Sequence, residues 1–293
     1  MKKEYLMAGF TVFCWGTMAP VSKLLLSDLT NMEVLGYGSG IGALALLGAI
    51  IVSGEWRRWK EYSWKDLAKL ALLGTEGYFL YSAFYYYGLR VLPAQTACIL
   101  NYLWPIFTVM FSSVILKETF SRSALMAMLL SFLGVMVIMQ VSPIKHIPGK
   151  SAELAGGYLS CILAAALYGF FNVMNKKQGK NQMINMFLYL GVSAVLALCC
   201  GWNEGLTLPK TSQFPGLLWL GIFIDAAGYL LWAMALQETN TASIANFAYA
   251  TPAISLFLSA LILGEPVYLT SVIGLGLILG GFFLQMYLTP SRR

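Results

Sequence analysis

Two acidic side chains lie within long apolar stretches of this sequence, where a charge is unfavourable. Glu76 falls near the middle of the apolar segment 67–89, and Asp225 lies at the middle of segment 214–236. A carboxylate at membrane depth costs several kcal/mol unless water or a partner stabilises it. Each acid is therefore either a proton or cation site that faces a central cavity, or a neutral carboxyl that is hydrogen-bonded to a neighbouring helix.

Aromatic and amide side chains accompany these acids at helical spacing. Tyr229 and Trp232 follow Asp225 at i+4 and i+7, so one helix face carries all three. Rings grouped with amides and an acid suit an amphipathic solute that carries a ring or a cation, although aromatic stripes also form for packing alone. The candidate solute-binding residues are Trp15, Glu76, Tyr85, Asn101, Trp104, Tyr168, Asn172, Asp225, Tyr229, Trp232 and Tyr249.

The composition determines which solvent must surround the elements that hold these residues. Of 293 residues, 58% are hydrophobic and only 11% are charged, whereas a soluble domain carries roughly a quarter charged residues. The mean hydropathy is +0.70. The chain is therefore predicted to be an all-α membrane protein, with no room for a separate soluble domain.

Apolar segments long enough to cross a bilayer recur along the whole chain. A helix needs about 20 apolar residues to span the hydrocarbon core. The first segment is too long for a signal-peptide core and no small-residue cleavage site follows it, so we expect it to remain as a helix. The ten predicted transmembrane helices are 5–26, 33–53, 67–89, 92–115, 122–140, 156–175, 182–201, 214–236, 241–263 and 267–288.

Lysine and arginine are unevenly divided between the connectors. With the N-terminus in the cytoplasm, fourteen of the nineteen basic residues fall in cytoplasmic loops and tails, and five fall outside. Cytoplasmic loops of membrane proteins carry such an excess. The sequence thus predicts a multi-pass protein of the cytoplasmic (inner) membrane with both termini in the cytoplasm. The basic net charge is explained by topology and requires no nucleic-acid partner.

The chain repeats itself at an offset of 147 residues. Apolar sequences match often by chance, so the matching proline and glutamate positions carry the argument. Five crossings per repeat would place the two five-helix halves in inverted orientations, as in secondary transporters with a solute site near the midplane. The predicted halves are 1–145 and 150–293, and the matched pairs include Gly74 with Gly221, Tyr102 with Tyr249, Pro105 with Pro252, and Glu118 with Glu265.

Pro105 and Pro252 lie near the centres of the fourth and ninth segments. Each proline removes a backbone donor and frees a carbonyl at membrane depth. A functional hinge and a harmless kink are both compatible with these positions.

Short motifs give the chain a family resemblance. The segment Leu116-Lys117-Glu118, mirrored by Leu263-Gly264-Glu265-Pro266, resembles the drug/metabolite transporter superfamily, and within it the EamA family, over essentially the whole chain. The segments Asn101-Tyr102-Leu103-Trp104-Pro105 and Gly228-Tyr229-Leu230-Leu231-Trp232 are similar to the bacterial aromatic amino-acid exporter subgroup. The superfamily carries amino acids, nucleobases, nucleotide sugars, choline and drugs, so the resemblance implies transport without choosing a solute.

Other classes of function find little support. The single histidine, His146, and five scattered cysteines do not provide a metal site, and no cofactor motif or nucleotide-binding loop is present in the sequence. An enzyme is therefore not predicted. A passive channel remains an alternative, although the polar residues are spread over several helices and line no single strip.

The sequence therefore predicts a secondary transporter of small amphipathic metabolites, working by alternating access, with export of aromatic or hydrophobic amino acids as the favoured activity. The alternative solute is an organic cation such as a quaternary amine, or a drug. Expected partners are the solute, the lipid bilayer and, as a candidate coupling ion, the proton. Glycines such as Gly36 and Gly40 favour close helix packing within a monomer, with a weak homodimer as the alternative.

Overall fold

The structure is a computed structural model that describes residues 3–115, 151–202, 205–238 and 250–288, together with positions 117, 126, 129, 130, 133, 134, 137 and 248. These residues are mainly helical and include no β-strand. The α-helices, in chain order, are α1 Lys3–Leu25, α2 Asn31–Val52, α3 Trp64–Gly74, α4 Tyr81–Val91, α5 Ala94–Asn101, α6 Trp104–Ile115, α7 Ser151–Gln178, α8 Gln182–Trp202, α9 Phe214–Leu218, α10 Tyr229–Glu238, α11 Ala250–Leu263 and α12 Leu269–Leu288.

These helices coincide with nine of the ten apolar segments. The described part of the chain contains five helical stretches that are long and apolar enough to cross a membrane, and the predicted segment 122–140 lies largely outside the described residues. The five are Asn31–Val52, Ala94–Ser112, Ala152–Gln178, Gln182–Trp202 and Thr211–Ala235.

Local chemistry sets the ends of the second helix. Thr30 and Glu33 form a capping box, in which the Glu33 amide donates to the Thr30 hydroxyl (3.2 Å) and the Thr30 amide donates to the Glu33 carboxylate (2.8 Å). These bonds satisfy donors that have no partner within the helix. After Ser53, Gly54 adopts φ 75°, a left-handed conformation that ends the helix.

Two of the predicted spans contain wide π-helical turns. A π-helical segment, Thr75–Leu80, joins α3 to α4, and a second, Trp219–Gly228, joins α9 to α10. The first contains Glu76 and the second contains Asp225. Wider turns rotate the side chains that follow, and they are frequent at functional sites.

Glycines allow the helices to approach closely at the centre of the bundle. Gly42 on α2 faces the carbonyl oxygen of Gly221, so closely that a Cβ at Gly42 would lie 2.8 Å from it. A Cβ at Gly74 would lie 2.9 Å from the Cα atom of Tyr189 on α8. Small residues at helix interfaces permit such backbone contacts.

Polar contacts gather at the two ends of the bundle. At one end, Glu33 accepts hydrogen bonds from the amide (2.6 Å) and hydroxyl (2.7 Å) of Thr207. At the other, Lys180 forms an ion pair with Asp66 (2.7 Å) and donates to the Glu61 carbonyl (2.9 Å). Each contact joins connectors that the predicted alternation of spans assigns to the same side of the membrane.

Candidate functional site

A cavity lined mainly by aromatic rings lies between the helices at the centre of the bundle. It encloses about 340 Å³ of empty space, including the part that is open to solvent. None of the described side chains that line it is an acid, a lysine or an arginine. The lining residues are Trp15, Met18, Tyr81, Tyr85, Cys98, Asn101, Tyr102, Trp104, Tyr168, Tyr229 and Thr251.

Trp15 on α1 is the centre of the ring cluster. Its ring centroid lies 5.2 Å from that of Tyr229, 5.1 Å from that of Trp232 and 6.4 Å from that of Tyr168. Trp104 meets Tyr168 edge-on at 5.1 Å. These distances are typical of favourable aromatic pairs. An entering solute ring must therefore displace ring–ring contacts and can replace them with equivalent ones.

Several buried polar atoms at the cavity have no hydrogen-bond partner among the described residues. They are the indole nitrogens of Trp15 and Trp232 and the side-chain carbonyl oxygen of Asn101. The amide nitrogen of Asn101 does have a partner, since it donates to the Tyr81 hydroxyl at 3.2 Å. Buried polar groups normally find a partner in the protein, in water or in a ligand. Two free donors and one free acceptor thus point to a polar ligand or to water.

A break in the fourth predicted span presents Asn101 and Trp104 to the cavity. α5 ends at Asn101, Tyr102 and Leu103 form a turn, and α6 begins at Trp104. Pro105 lies in the first turn of α6, where its missing N–H leaves no bond unmade. Pro252 lies in the first turn of α11, and both prolines are buried.

Asp225 is buried, with 2% exposure, but it is not among the residues that line the cavity. Its carboxylate packs against α2, where a Cβ added to Gly38 would lie 3.3 Å from its Oδ2 atom. The Tyr78 hydroxyl donates a hydrogen bond to it. Tyr229, four residues after Asp225, does line the cavity.

The structure brings together only some of the sequence-predicted site residues. Trp15, Tyr85, Asn101, Trp104, Tyr168 and Tyr229 line the cavity, and Trp232 lies behind Trp15 and Trp104. Asn172 is half-buried, and its side-chain amide donates to the Tyr168 carbonyl at 2.9 Å. Tyr249 lies outside the described residues.

Glu76, the second predicted acid, also stands apart from the cavity lining. It is half-buried in the first π-helical segment. Its carboxylate makes no hydrogen bond or ion pair with any described residue. The two acids are therefore separated from the ring cluster and differ from each other in their surroundings.

Sequence reasoning missed five lining residues: Met18, Tyr81, Cys98, Tyr102 and Thr251. Tyr81 could have been found, since it precedes Tyr85 by one helical turn. Tyr102 could also have been found, since it is a repeat-matched residue three positions before Pro105. Cys98 and Thr251 carried no signal that distinguishes them from ordinary small packing residues. Within the described residues, no three His, Cys, Asp or Glu side chains are grouped as metal ligands.

Comparisons with known proteins agree on a family. The model of the EamA-like transporter family matches residues 2–140 and 155–287. An uncharacterised transporter of Clostridium kluyveri is 27% identical over 97% of this chain and 93% of its own length. The aromatic amino acid exporter YddG of Ancylobacter novellus is 24% identical over 85% of each chain.

A second relative with a named solute has the same percentage of sequence identity to this chain. The pseudopaline exporter CntI of Pseudomonas aeruginosa is 24% identical over 85% of this chain and 84% of its own. A crystal structure with 19% sequence identity superposes with a TM-score of 0.75, covering 100% of this chain and 98% of that one. This last likeness establishes the fold alone.

Proposed function

This chain belongs to the EamA-like transporter family, and from that premise we propose that it exports aromatic or hydrophobic amino acids across the cytoplasmic membrane by alternating access. One observation carries the choice of solute. Among the described residues, the central cavity combines a lining of aromatic rings with unpaired donors and an unpaired acceptor, and no charged side chain lines it.

The proposed architecture is ten transmembrane helices in two inverted five-helix repeats, residues 1–145 and 150–293, with both termini in the cytoplasm. Contacts that recur at the offset of 147 residues support it. Gly42 meets Gly221, and their repeat counterparts Tyr189 and Gly74 also meet each other. In an arrangement with a two-fold axis, a contact between two positions implies the contact between their counterparts.

A second pair of contacts supports the same architecture. Gly16 on α1 is in close contact with Ile254 on α11, and Gly169 on α7 is in close contact with Phe107 on α6. Phe107 precedes Ile254 by the repeat offset of 147, whereas Gly16 and Gly169 are 153 positions apart and correspond in that each directly follows a cavity ring, Trp15 or Tyr168. Helices of both halves thus enclose the cavity, which is where transporters with inverted repeats bind their solute.

The polar atoms at the cavity suit a zwitterion with an apolar side chain. The indole N–H of Trp15 can donate to a carboxylate, and the free oxygen of Asn101 can accept from an ammonium group. The surrounding rings can stack on an aromatic side chain. The named activity of the Ancylobacter novellus relative is consistent with such a solute.

An organic cation is the second candidate, because the cavity contains several tyrosine and tryptophan faces that attract cations. Tyr81 and Tyr168 stack on each other with their centroids 4.8 Å apart, so a cation would contact their outer faces or separate the two rings. However, neither Asp225 nor Glu76 lines the cavity, so no carboxylate there balances the charge of a quaternary amine. This difference favours the amino acid.

Asp225 is proposed as the coupling site rather than as a wall of the solute site. It is buried against α2, and Tyr78 of the first π-helical segment is its hydrogen-bond partner. A carboxyl group that binds a proton there can couple proton movement to the rearrangement of the repeats. Glu76 has no such position and is proposed to play a lesser role.

Binding to the purified, detergent-solubilised protein tests the proposal. A bound solute stabilises the folded state by mass action, about 2.7 kcal/mol at a hundredfold excess over Kd. We expect L-tryptophan and L-phenylalanine to raise the unfolding temperature, and choline and adenine to leave it unchanged. Stabilisation by choline alone would favour the cation carrier.

Flux in proteoliposomes separates a carrier from a channel. We expect saturable uptake of labelled amino acid that is accelerated by unlabelled amino acid on the opposite side. A linear flux without such counterflow would contradict a carrier and indicate a passive channel.

A further inference from the structure

One turn at the cavity, between α4 and α5, is held by charged side chains from both halves of the chain. Glu265, which follows α11, accepts hydrogen bonds from the backbone amides of Ala94 (2.9 Å) and Gln95 (3.3 Å). The Gln95 side chain returns a bond to the Glu265 carbonyl at 3.4 Å. Glu265 therefore caps the N-terminus of a helix that belongs to the other half.

Lys23 holds the opposite side of the same turn. It lies near the end of α1, and its ammonium group donates to the carbonyl oxygens of Leu89 (2.7 Å) and Leu92. These carbonyls belong to the last turn of α4, where no intrahelical partner remains. The charge of Glu265 also attracts Lys23. A cation at a helix C-terminus and an anion at a helix N-terminus both stabilise their helix ends.

The amides that Glu265 satisfies have no alternative partner in water. Ala94 is fully buried, and Gln95 has only 2% exposure. Unsatisfied backbone donors at such a position are costly, and more so near hydrocarbon. The bond is thus maintained while these two helix ends remain together, and its loss must be compensated by water that enters between them.

Glu265 joins two helices that line the cavity. α5, whose first residues it caps, contributes Cys98 and Asn101, and α11, which it follows, contributes Thr251 from its opposite end. We call this end of the bundle the Glu265 end. The Glu265 end also contains the contact between Lys210 and Asp28 (3.9 Å), since Asp28 directly follows α1 and Lys23.

The sequence carries a glutamate at the matched position of the first half. Glu118 precedes Glu265 by 147 residues and lies outside the described residues. The residue before each glutamate has left-handed backbone: φ is 55° at Lys117 and 66° at Gly264. A non-glycine residue at positive φ is uncommon. Its occurrence at the matched position indicates that the two helices end alike.

We propose that Glu265 is a gating residue for the transport that the preceding section proposes: its cap holds the Glu265 end of the cavity closed and must break when that end opens. Lys23 positions the α4–α5 turn to receive it. Release of the cap separates α5 from α11 and admits water and solute to the cavity from that side.

The test uses the native Cys98 thiol, which lines the cavity and has 4% exposure. A membrane-impermeant thiol reagent is applied to the full-length protein from the Glu265 side, and Cys98 modification is followed by peptide mass mapping. In Glu265→Gln, one acceptor and the charge are lost. We expect Cys98 to react roughly tenfold faster than in wild type, the factor that loss of a charged cap corresponds to. The Glu265→Asp variant, which keeps the charge, should give a smaller increase.

A matched control distinguishes gating from general destabilisation. Glu33 also bonds between the halves at the Glu265 end, to Thr207, but it joins no cavity wall. Glu33→Gln should lower the unfolding temperature without accelerating Cys98 modification. An unchanged Cys98 rate in folded Glu265→Gln, or an equal acceleration in Glu33→Gln, would overturn the proposal. Neither readout requires a solute, so failure here is distinguishable from failure of the transport assay.

Discussion

The two π-helical segments occupy corresponding positions in the two proposed halves, yet their acidic side chains differ in burial and in hydrogen bonding. Asp225 is 2% exposed, packs on Gly38 and receives a hydrogen bond from Tyr78. Glu76 is half-buried and bonds to no described residue. Tyr78 precedes Asp225 by the repeat offset of 147 residues. Two residues that a two-fold axis exchanges can touch each other only where both lie close to that axis.

Asp225 and Glu76 carry the same ionisable group, so what distinguishes them is where each lies in the bundle. In the proposed inverted-repeat arrangement, a carboxyl group near the two-fold axis would lie where the halves meet and would keep the same relation to both as they move against each other. The half-buried Glu76 has no such position. We therefore propose Asp225, and not Glu76, as the coupling site.

Removing the two carboxylates one at a time has the largest expected effect. Asp225→Asn keeps size and hydrogen bonding, and we expect it to abolish pH-driven uphill transport while exchange of labelled for unlabelled solute continues. Glu76→Gln should stay within about twofold of wild type, as for other substitutions without a partner. The measurement is uptake into proteoliposomes with and without a pH gradient.

The alternatives for Asp225 give different outcomes in the same assay. Loss of exchange together with uphill transport would make Asp225 part of the solute site. Full activity in Asp225→Asn would leave it a structural, neutral acid, and the comparison with Glu76 would lose its functional meaning.

Substituting glycine by alanine tests whether the helix backbones pack as closely at Gly221 as the structure shows. A Cβ at Gly221 would lie 2.7 Å from the Gly38 carbonyl oxygen, whereas a Cβ at Gly276 meets nothing within 4 Å. We expect Gly221→Ala to destabilise by about 1–3 kcal/mol, the usual cost of overpacking. Gly276→Ala should be neutral or slightly stabilising. Equal unfolding temperatures for the two variants would argue against close contact at Gly221.

Much of the architecture could be predicted from sequence because apolar length is a strong signal. Helices match the predicted segments to within a few residues, as for segment 182–201 and the helix Gln182–Trp202. The π-helical turns could not be predicted, because no residue type specifies them. Both acids lie within them, Glu76 in the first and Asp225 in the second.

Part of the site could be predicted because amide and large aromatic side chains are uncommon within apolar helices. Trp15, Asn101 and Trp104 were found because large or polar groups are conspicuous in an apolar helix. The role of Glu265 was not predicted, since a glutamate at a helix end reads as an ordinary polar terminus. Its contact with Ala94 joins residues 171 positions apart, which no local pattern reveals.

Truncating the tryptophan rings at the cavity should weaken solute binding, an effect smaller than the loss of uphill transport expected for Asp225→Asn. Trp104→Ala and Trp232→Ala each remove ring contacts at the cavity, and we expect Kd to rise about tenfold, from contacts worth about 0.5–1.5 kcal/mol each. Trp64 is 87% exposed, so Trp64→Ala is the matched control. The ligand-induced rise in unfolding temperature measures the effect. If all three variants bind alike, the rings serve packing alone.

The smallest expected effect concerns the end of the bundle far from Glu265. The hydrogen bond from Lys180, aided by Ser63, holds the pKa of Asp66 well below its usual range. A lowered folded-state pKa contributes stability above the unfolded pKa of about 3.9, and that contribution is lost as pH falls through the folded value.

Asp66→Asn should therefore lower the unfolding temperature slightly at pH 7. The difference from wild type should shrink as the pH falls below 4, and high salt should reduce it at neutral pH. A gap that widens on acidification would contradict the sign of this assignment.

Solute protection of Cys98 tests the central claim most directly, namely that the ring-lined cavity is the solute site. Cys98 lines the cavity, and the exposed Cys199 lies on the outer face of α8 as an internal control. We predict that L-tryptophan slows modification of Cys98 in a saturable manner, at the concentrations that raise the unfolding temperature, and leaves Cys199 unaffected. Unchanged modification of Cys98 at a concentration of L-tryptophan that stabilises the protein would place the solute elsewhere and contradict the account.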